Sequence, residues 1–215
     1  FISGTNQLLV KRAINDNWEF SIYDLDSDFQ KSGTFEGTCD YRETVFPFSD
    51  GSPGLICFEK GDLLVYKLNT GEKSVVARGF TGLLYYTALS DDGSILATGD
   101  WRERINLWDV NSGDLIQMIE YPGESSPRSM SISPNNKILA TYGYSDTLDF
   151  WDIRSGKLIS NKSILPGYGG LFFSNVDEDR FYAVVNNQVI EGNVFSDETK
   201  TIFKNGSFTI PEEER

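Results

Sequence analysis

Histidine is absent from all 215 residues. That removes the one side chain whose unperturbed charge change falls near neutral pH, and with it His-dependent nucleophilic triads and His-ligated metal sites. Cysteine is nearly absent. Cys39 and Cys57 are too few for a disulfide framework and read as two reduced thiols, Cys57 buried on a strand, which points to a reducing compartment. No stretch approaches the roughly 20 apolar residues of a membrane span. No signal peptide is visible, and the chain begins at Phe1 rather than Met. The glycines never form a GxxxxGK phosphate cradle, and no loop has the ligand spacing of an EF-hand. Basic residues are outnumbered, 19 against 32 acidic, giving a formal charge of −13. Such a surface repels phosphate backbones and argues against a nucleic-acid partner, the one local exception considered being a basic patch around Arg102 and Arg104.

What is present is a repeat. Leu89 to Leu115 holds two short apolar runs, Ser94-Ile95-Leu96-Ala97-Thr98 and Ile105 to Val110. The polar turn Ser90 to Gly93 precedes the first, and the turn Asn111 to Asp114 follows the second. The unit recurs 43 residues on. Ser133-Pro134-Asn135-Asn136 replaces the first turn, Ile138 to Thr141 repeats the ILAT run, Trp151-Asp152 replaces Trp108-Asp109, and Ser155-Gly156 replaces Ser112-Gly113. Weaker copies place Tyr66 and Tyr23 at the Trp position upstream and Gly192 downstream. The markers 23, 66, 108, 151 and 192 are thus spaced 43, 42, 43 and 41 apart.

That period and the Trp-Asp pairs resemble the WD-repeat β-propeller family. The resemblance implies an all-β fold of four-stranded antiparallel blades, about five of them visible. One such sheet cannot bury both faces, so blades must stack to form a continuous core. The repeats run approximately 1–40, 41–80, 81–122, 123–166 and 167–207, with 208–215 as a closing strand or a disordered acidic tail. Five copies allow a small closed ring, part of a larger ring, or an open ring completed by a partner's strand. Phe1-Ile2-Ser3 aligns with the end of a strand, a mid-repeat start that favours a fragment. Blade strands are expected at Leu8 to Ile14, Trp18 to Leu25, Gly33 to Phe35, Thr44 to Phe48, Leu55 to Phe58, Leu63 to Leu68 and Lys73 to Ala77. Further ones follow at Leu83 to Leu89, Ile95 to Gly99, Ile105 to Val110, Leu115 to Glu120, Arg128 to Ser133, Lys137 to Tyr142, Leu148 to Ile153 and Leu158 to Ser163. The last copy supplies Gly170 to Phe173, Arg180 to Val185, Gln188 to Val194 and Lys200 to Phe203. Pro47 is expected to interrupt a central ladder, and Gly167 to Gly170 to act as a flexible linker.

The family's buried network joins a Gly-His pair, a loop Asp and the Trp. Here histidine is missing, and the Asp slot holds Lys60, Arg102 and Ser145 in the three best copies. The Trp N–H and Tyr O–H groups therefore need substitute partners. The acidic runs Asp91-Asp92 and Asp177-Glu178-Asp179 sit at turns, where Asp supplies local hydrogen bonds and solvation. No catalytic residue, metal ligand or cofactor-binding residue is assigned. The triplets Asn161-Lys162-Ser163 and Asn205-Gly206-Ser207 match the glycosylation pattern, a match common by chance.

By the resemblance, contact falls on the loops between the second and third strands and between blades. Trp101 and Tyr144 occupy matched slots in such loops, with Arg102 beside Trp101. Tyr85 and Arg128 match at the entry to the inner strands, with Tyr168 near the corresponding point in the last copy. Trp, Tyr and Arg dominate interface energetics, so these six form the candidate protein-binding set. Each aromatic has a structural alternative, folding onto its own blade or packing between blades. The reading is a non-enzymatic, intracellular and cytoplasmic protein–protein interaction scaffold within a larger complex. Its partners carry basic segments steered in by the acidic surface. The alternative is a sensor or regulatory propeller of a larger enzyme or signalling ATPase, and a further one is an enzyme with its site in the central channel.

Overall fold

The computed structural model describes residues 7–14, 17–26, 30–37, 41–47, 52–59, 61–77, 86–99, 104–121, 127–143, 147–164, 169–174, 176–204 and 207–208. Among them every regular element is a strand. The first sheet holds β1 (Gln7–Ile14), β2 (Asn17–Asp24) and β3 (Gln30–Gly37). The second holds β4 (Tyr41–Pro47), β5 (Pro53–Glu59), β6 (Asp62–Lys67) and β7 (Glu72–Ala77). The third is built from β8 (Tyr86–Leu89), β9 (Ile95–Gly99), β10 (Arg104–Asp109) and β11 (Leu115–Glu120). The fourth has β12 (Ser129–Ile132), β13 (Ile138–Tyr142), β14 (Thr147–Asp152) and β15 (Leu158–Ser163). The fifth has β16 (Gly169–Phe173), β17 (Arg180–Val185), β18 (Gln188–Asn193), β19 (Thr199–Lys204) and the two-residue β20 (Ser207–Phe208). Strands neighbour one another in sequence order throughout, so each sheet is an antiparallel meander of the propeller-blade type.

Register follows the repeat. The marker residues sit opposite a large apolar side chain of the preceding strand: Tyr23 opposite Leu8, Tyr66 opposite Leu55, Trp151 opposite Leu139. In the fifth sheet Gly192 lies opposite Phe181. A Cβ built on Gly192 would come within 2.5 Å of the Phe181 ring, so the phenyl group fills the space that the marker aromatic fills elsewhere.

Two compact units divide the chain: Phe1–Leu84 with Asp91–Ile95 and Trp108–Asp114, and Tyr85–Ser90 with Leu96–Leu107 and Leu115–Arg215. The core of the first packs Phe20 and Ile22 of β2 against Leu55, Cys57, Leu64, Tyr66 and Leu68. That of the second packs Ile138, Ala140, Tyr142, Leu148 and Phe150 against Leu171, Phe173, Phe181, Ala183 and Val185. Phe150 is fully buried, 5.0 Å from the Phe181 ring and 6.4 Å edge-on from Phe173. Each such side chain withdrawn from water is worth roughly 1.5–3 kcal/mol.

Neighbouring blades meet at a recurring joint. From the third blade on, the turn between the third and fourth strands abuts the outer strand of the blade before it. Gly113, with φ of +78°, would put a Cβ 3.1 Å from the carbonyl oxygens of Val75 and Val76. Gly156, 43 residues on and also left-handed, faces Gln117 of β11. The last joint has no glycine and is closed by side chains instead. Ser160 Oγ donates to the Val194 carbonyl, and Lys162 Nζ donates to that of Ser196.

Three expectations need correction. Gly169, read as linker, is a strand residue paired with Val185, so β16 begins one residue before the expected Gly170, which pairs with Val184; a glycine without a side chain carries no apolar signal of the strand it opens. Pro47 pairs with Pro53 at the terminal rung of β4–β5, where a missing N–H interrupts nothing. Cys57 is disulfide-bonded rather than a free thiol. Two cysteines suffice for one bridge when the fold brings them together, and spacing along the chain does not report that distance. The other cysteine, Cys39, lies outside the described residues. Ser207–Phe208 pairs with β19 of its own sheet, and residues 209–215 fall outside the described set.

Candidate interaction surface

In each of the second to fifth sheets the connection between the second and third strands leaves from one end of the sheet, and the chain enters the inner strand at that same end. In the third blade this connection runs from Gly99 to Arg104, and in the fourth from Gly143 to Thr147. Of the six candidate contact residues, Arg128 is described; Tyr85, Trp101, Arg102, Tyr144 and Tyr168 lie outside the described residues. Arg128 is half-buried beside the fourth-blade connection, its backbone N–H donating to the Tyr142 carbonyl at 2.6 Å. Tyr121 packs against this region. Its hydroxyl lies where a side chain on Gly143 would stand, and its ring is 6.3 Å from that of Trp151. Inner strands β8 and β12 pack together within the second unit, as do β12 and β16.

The substitute partners of the marker aromatics differ between blades. In the fourth blade Trp151 is 5% exposed, and its indole Nε1 donates to Thr141 Oγ1 at 3.0 Å. The Thr141 hydroxyl in turn donates to the Asp149 carbonyl at 3.4 Å. Thr98 makes the matching bond to the Asn106 carbonyl in the third blade. In the second blade the Tyr66 hydroxyl donates to Glu59 Oε2 at 3.2 Å, and Lys73 Nζ donates to the same oxygen at 2.8 Å. The lysine also stands 5.5 Å from the Tyr66 ring centroid. Lys60, Arg102 and Ser145, which hold the family's Asp slot, are outside the described residues. The signal missed in the sequence is the threonine that ends both ILAT runs, Thr98 and Thr141.

Electrostatics follow burial. Burial raises the Asp149 carboxyl above its ordinary value, partly offset by a hydrogen bond from the Thr147 hydroxyl. Burial raises Tyr66 as well, while its hydrogen bond to Glu59 raises Lys73. Asp152 is lowered by the Ser155 hydroxyl and backbone N–H, which close the turn after β14. Arg180 is raised by its bonds to Asp177 and Glu191. These are structural pairings within blades. Among the described residues no three His, Cys, Asp or Glu side chains converge as a metal site, and no helix is long and apolar enough to cross a membrane.

No protein-family model matches the chain. Over 135 residues it is 28% identical to autophagy-related protein 18 from Saccharomyces cerevisiae, in the sequences of two strains of that yeast. The match covers 61% of this chain and 25% of each relative, so the chain spans about a quarter of the length of the curated relatives it matches.

Proposed function

We propose that this chain is a divergent WD-repeat propeller acting as a non-catalytic protein–protein interaction scaffold, a subunit or domain of a larger complex. The observation that carries the reading is how the polar chemistry is spent. The polar groups of the marker positions, Glu59, Tyr66, Lys73, Thr141 and the Trp151 indole, close blades rather than face a cleft, and Arg180, on the wall of an open groove, is held by Asp177 and Glu191 of its own blade. The likeness to autophagy-related protein 18 supports an autophagy-related, intracellular setting. The thiol argument for a reducing compartment lends no support, since Cys57 is bridged. Contact with partners is assigned to the set read from the sequence, Trp101, Arg102, Tyr144, Tyr85, Tyr168 and Arg128, of which Arg128 is among the described residues and stands at the entry to β12.

The test is chemical cross-linking and affinity capture of the native full-length protein, in parallel with a Trp101→Ala/Tyr144→Ala variant checked for an unchanged thermal melt. A stoichiometric partner that the variant loses supports both the scaffold and the face. A partner retained by the variant moves the contact elsewhere. A protein that travels alone and turns over a substrate sinks the scaffold reading.

A further inference from the structure

The turns at the opposite end of the blades carry charge of opposite sign in adjacent blades. In the fourth blade the turns 133–137 and 153–157 present Lys137, Arg154 and Lys157, all exposed. In the fifth blade the matching turns, 174–179 and 194–198, present Asp177, Glu178, Asp179, Asp197 and Glu198. The two fifth-blade turns are tied together by the Val194 N–H donating to the Asp179 carbonyl at 2.8 Å. They are tied to the fourth blade by Asn135 Nδ2 donating to Glu178. A groove of about 790 Å³ opens between them, lined by Asp177, Arg180, Glu191, Asp197, Glu198 and Lys200 among others. Arg180 is neutralised within the groove, bonded to Asp177 at 3.2 Å and to Glu191 at 2.7 Å. The carboxylates of Asp197 and Glu198 make no ion pair among the described residues. Two apolar side chains stand next in the chain to lining residues with little covering them: Phe195 is 64% exposed beside Ser196, and Val176 is 96% exposed beside Asp177.

An exposed Phe flanking an acidic groove on a braced pair of turns has the make-up of a contact site: an apolar anchor beside polar groups that select the occupant. Excess negative charge selects a cationic occupant, and the two exposed apolar groups select one that also carries aliphatic side chains. We infer that this groove receives an extended basic segment of a partner protein, its Lys or Arg side chains meeting Asp197 and Glu198 and its apolar side chains meeting Phe195 and Val176. The inference rests on the scaffold reading and adds to it a second contact surface, at the end of the blades opposite the entry to β12 where Arg128 stands.

The experiment is fluorescence anisotropy of a short labelled peptide of alternating arginine and leucine against the intact protein. An Asp197→Lys/Glu198→Lys variant tests the groove. An Asp91→Lys/Glu120→Lys variant makes the same change in net charge on exposed residues elsewhere. Circular dichroism confirms that both fold. The groove reversal is expected to weaken binding about tenfold or more and to flatten its salt dependence, and Phe195→Ala to weaken it severalfold, while the distant reversal changes it about twofold or less. Equal weakening by the two reversals would mean diffuse attraction to an acidic protein and overturns the groove, as does no weakening by either. Cross-linking of native partners separates this from the scaffold itself. Partners retained by the groove variant at wild-type levels overturn the groove and leave the scaffold standing, whereas peptide discrimination without any native partner overturns the scaffold reading and, with it, the partner-protein occupant of the groove.

Discussion

The second and fourth blades solve the same problem in different ways. Both place an aromatic at the marker position, opposite a buried leucine, and both must satisfy its polar tip without histidine. The fourth blade uses a neutral relay, Trp151 to Thr141 to a backbone carbonyl, sealed under the Tyr121 ring. The second uses an ionic one, Tyr66 and Lys73 sharing one oxygen of Glu59. The neutral relay carries no charge for salt to screen but is sensitive to losing its acceptor, because an indole N–H that is 5% exposed has little access to water. The ionic one is redundant, since Glu59 keeps Lys73 if Tyr66 lets go, and it is screened because the lysine side chain is 43% exposed. One slot thus carries two kinds of vulnerability.

The largest expected effect comes from Thr141→Val, which keeps shape and removes the acceptor. The stranded Trp151 N–H should cost about 1–3 kcal/mol, read as a lower urea midpoint. An unchanged midpoint would mean that Trp151 finds another acceptor. Tyr66→Phe should cost less, about 0.5–1.5 kcal/mol by urea unfolding, since the phenyl ring stays packed and Glu59 stays paired. A loss larger than that of Thr141→Val would invert the comparison.

Asp149→Asn probes the buried side of the fourth blade. The Asp149 carboxyl titrates higher folded than unfolded, so between the two values the folded state binds more protons and stability falls as pH rises. Below the unfolded value of about 3.9 the two proteins should match, and above the folded value the Asn variant should be the more stable by a constant margin. The third blade already carries the neutral residue, Asn106, at the matched position. Melting temperatures across the acid range check this, and a margin that grows toward low pH would contradict it. The smallest effect belongs to Lys73→Met, under about 1 kcal/mol and shrinking as salt is added, measured by melting at low and high ionic strength.

Much of the fold was legible. The strands Leu115–Glu120, Leu158–Ser163 and Arg180–Val185 have the bounds that the repeat and its turn residues assign them. The outer strand β3 extends to Gln30–Gly37, beyond the short core read at Gly33 to Phe35, because pairing with β2 recruits polar residues that carry no apolar pattern. The need for substitute acceptors was also legible, from the missing histidine, but not their identity. Thr141 reaches Trp151 ten residues away only once β13 and β14 pair in register. Of the contact set, Arg128 is placed at the entry to β12 beside the fourth-blade connection, and its five companions lie outside the described residues. The acidic run Asp177 to Asp179 was read as solvated turn, and its half of the groove became visible only with Asp197 and Glu198 across from it.

By itself the sequence determined the repeat, the strand-and-turn rhythm and the all-β class, since short apolar runs, turn residues and a period near 43 can be read along the chain. Tertiary structure alone decided the bridging of Cys57, the Ser160 and Lys162 joint, and the Phe181 ring in place of a fifth marker. It also decided the union of Asn135 with Glu178 and the facing of two acidic turns. Each of these depends on a distance between residues far apart in the chain, which is set by how strands register and blades stack, not by any pattern that a single stretch of sequence carries.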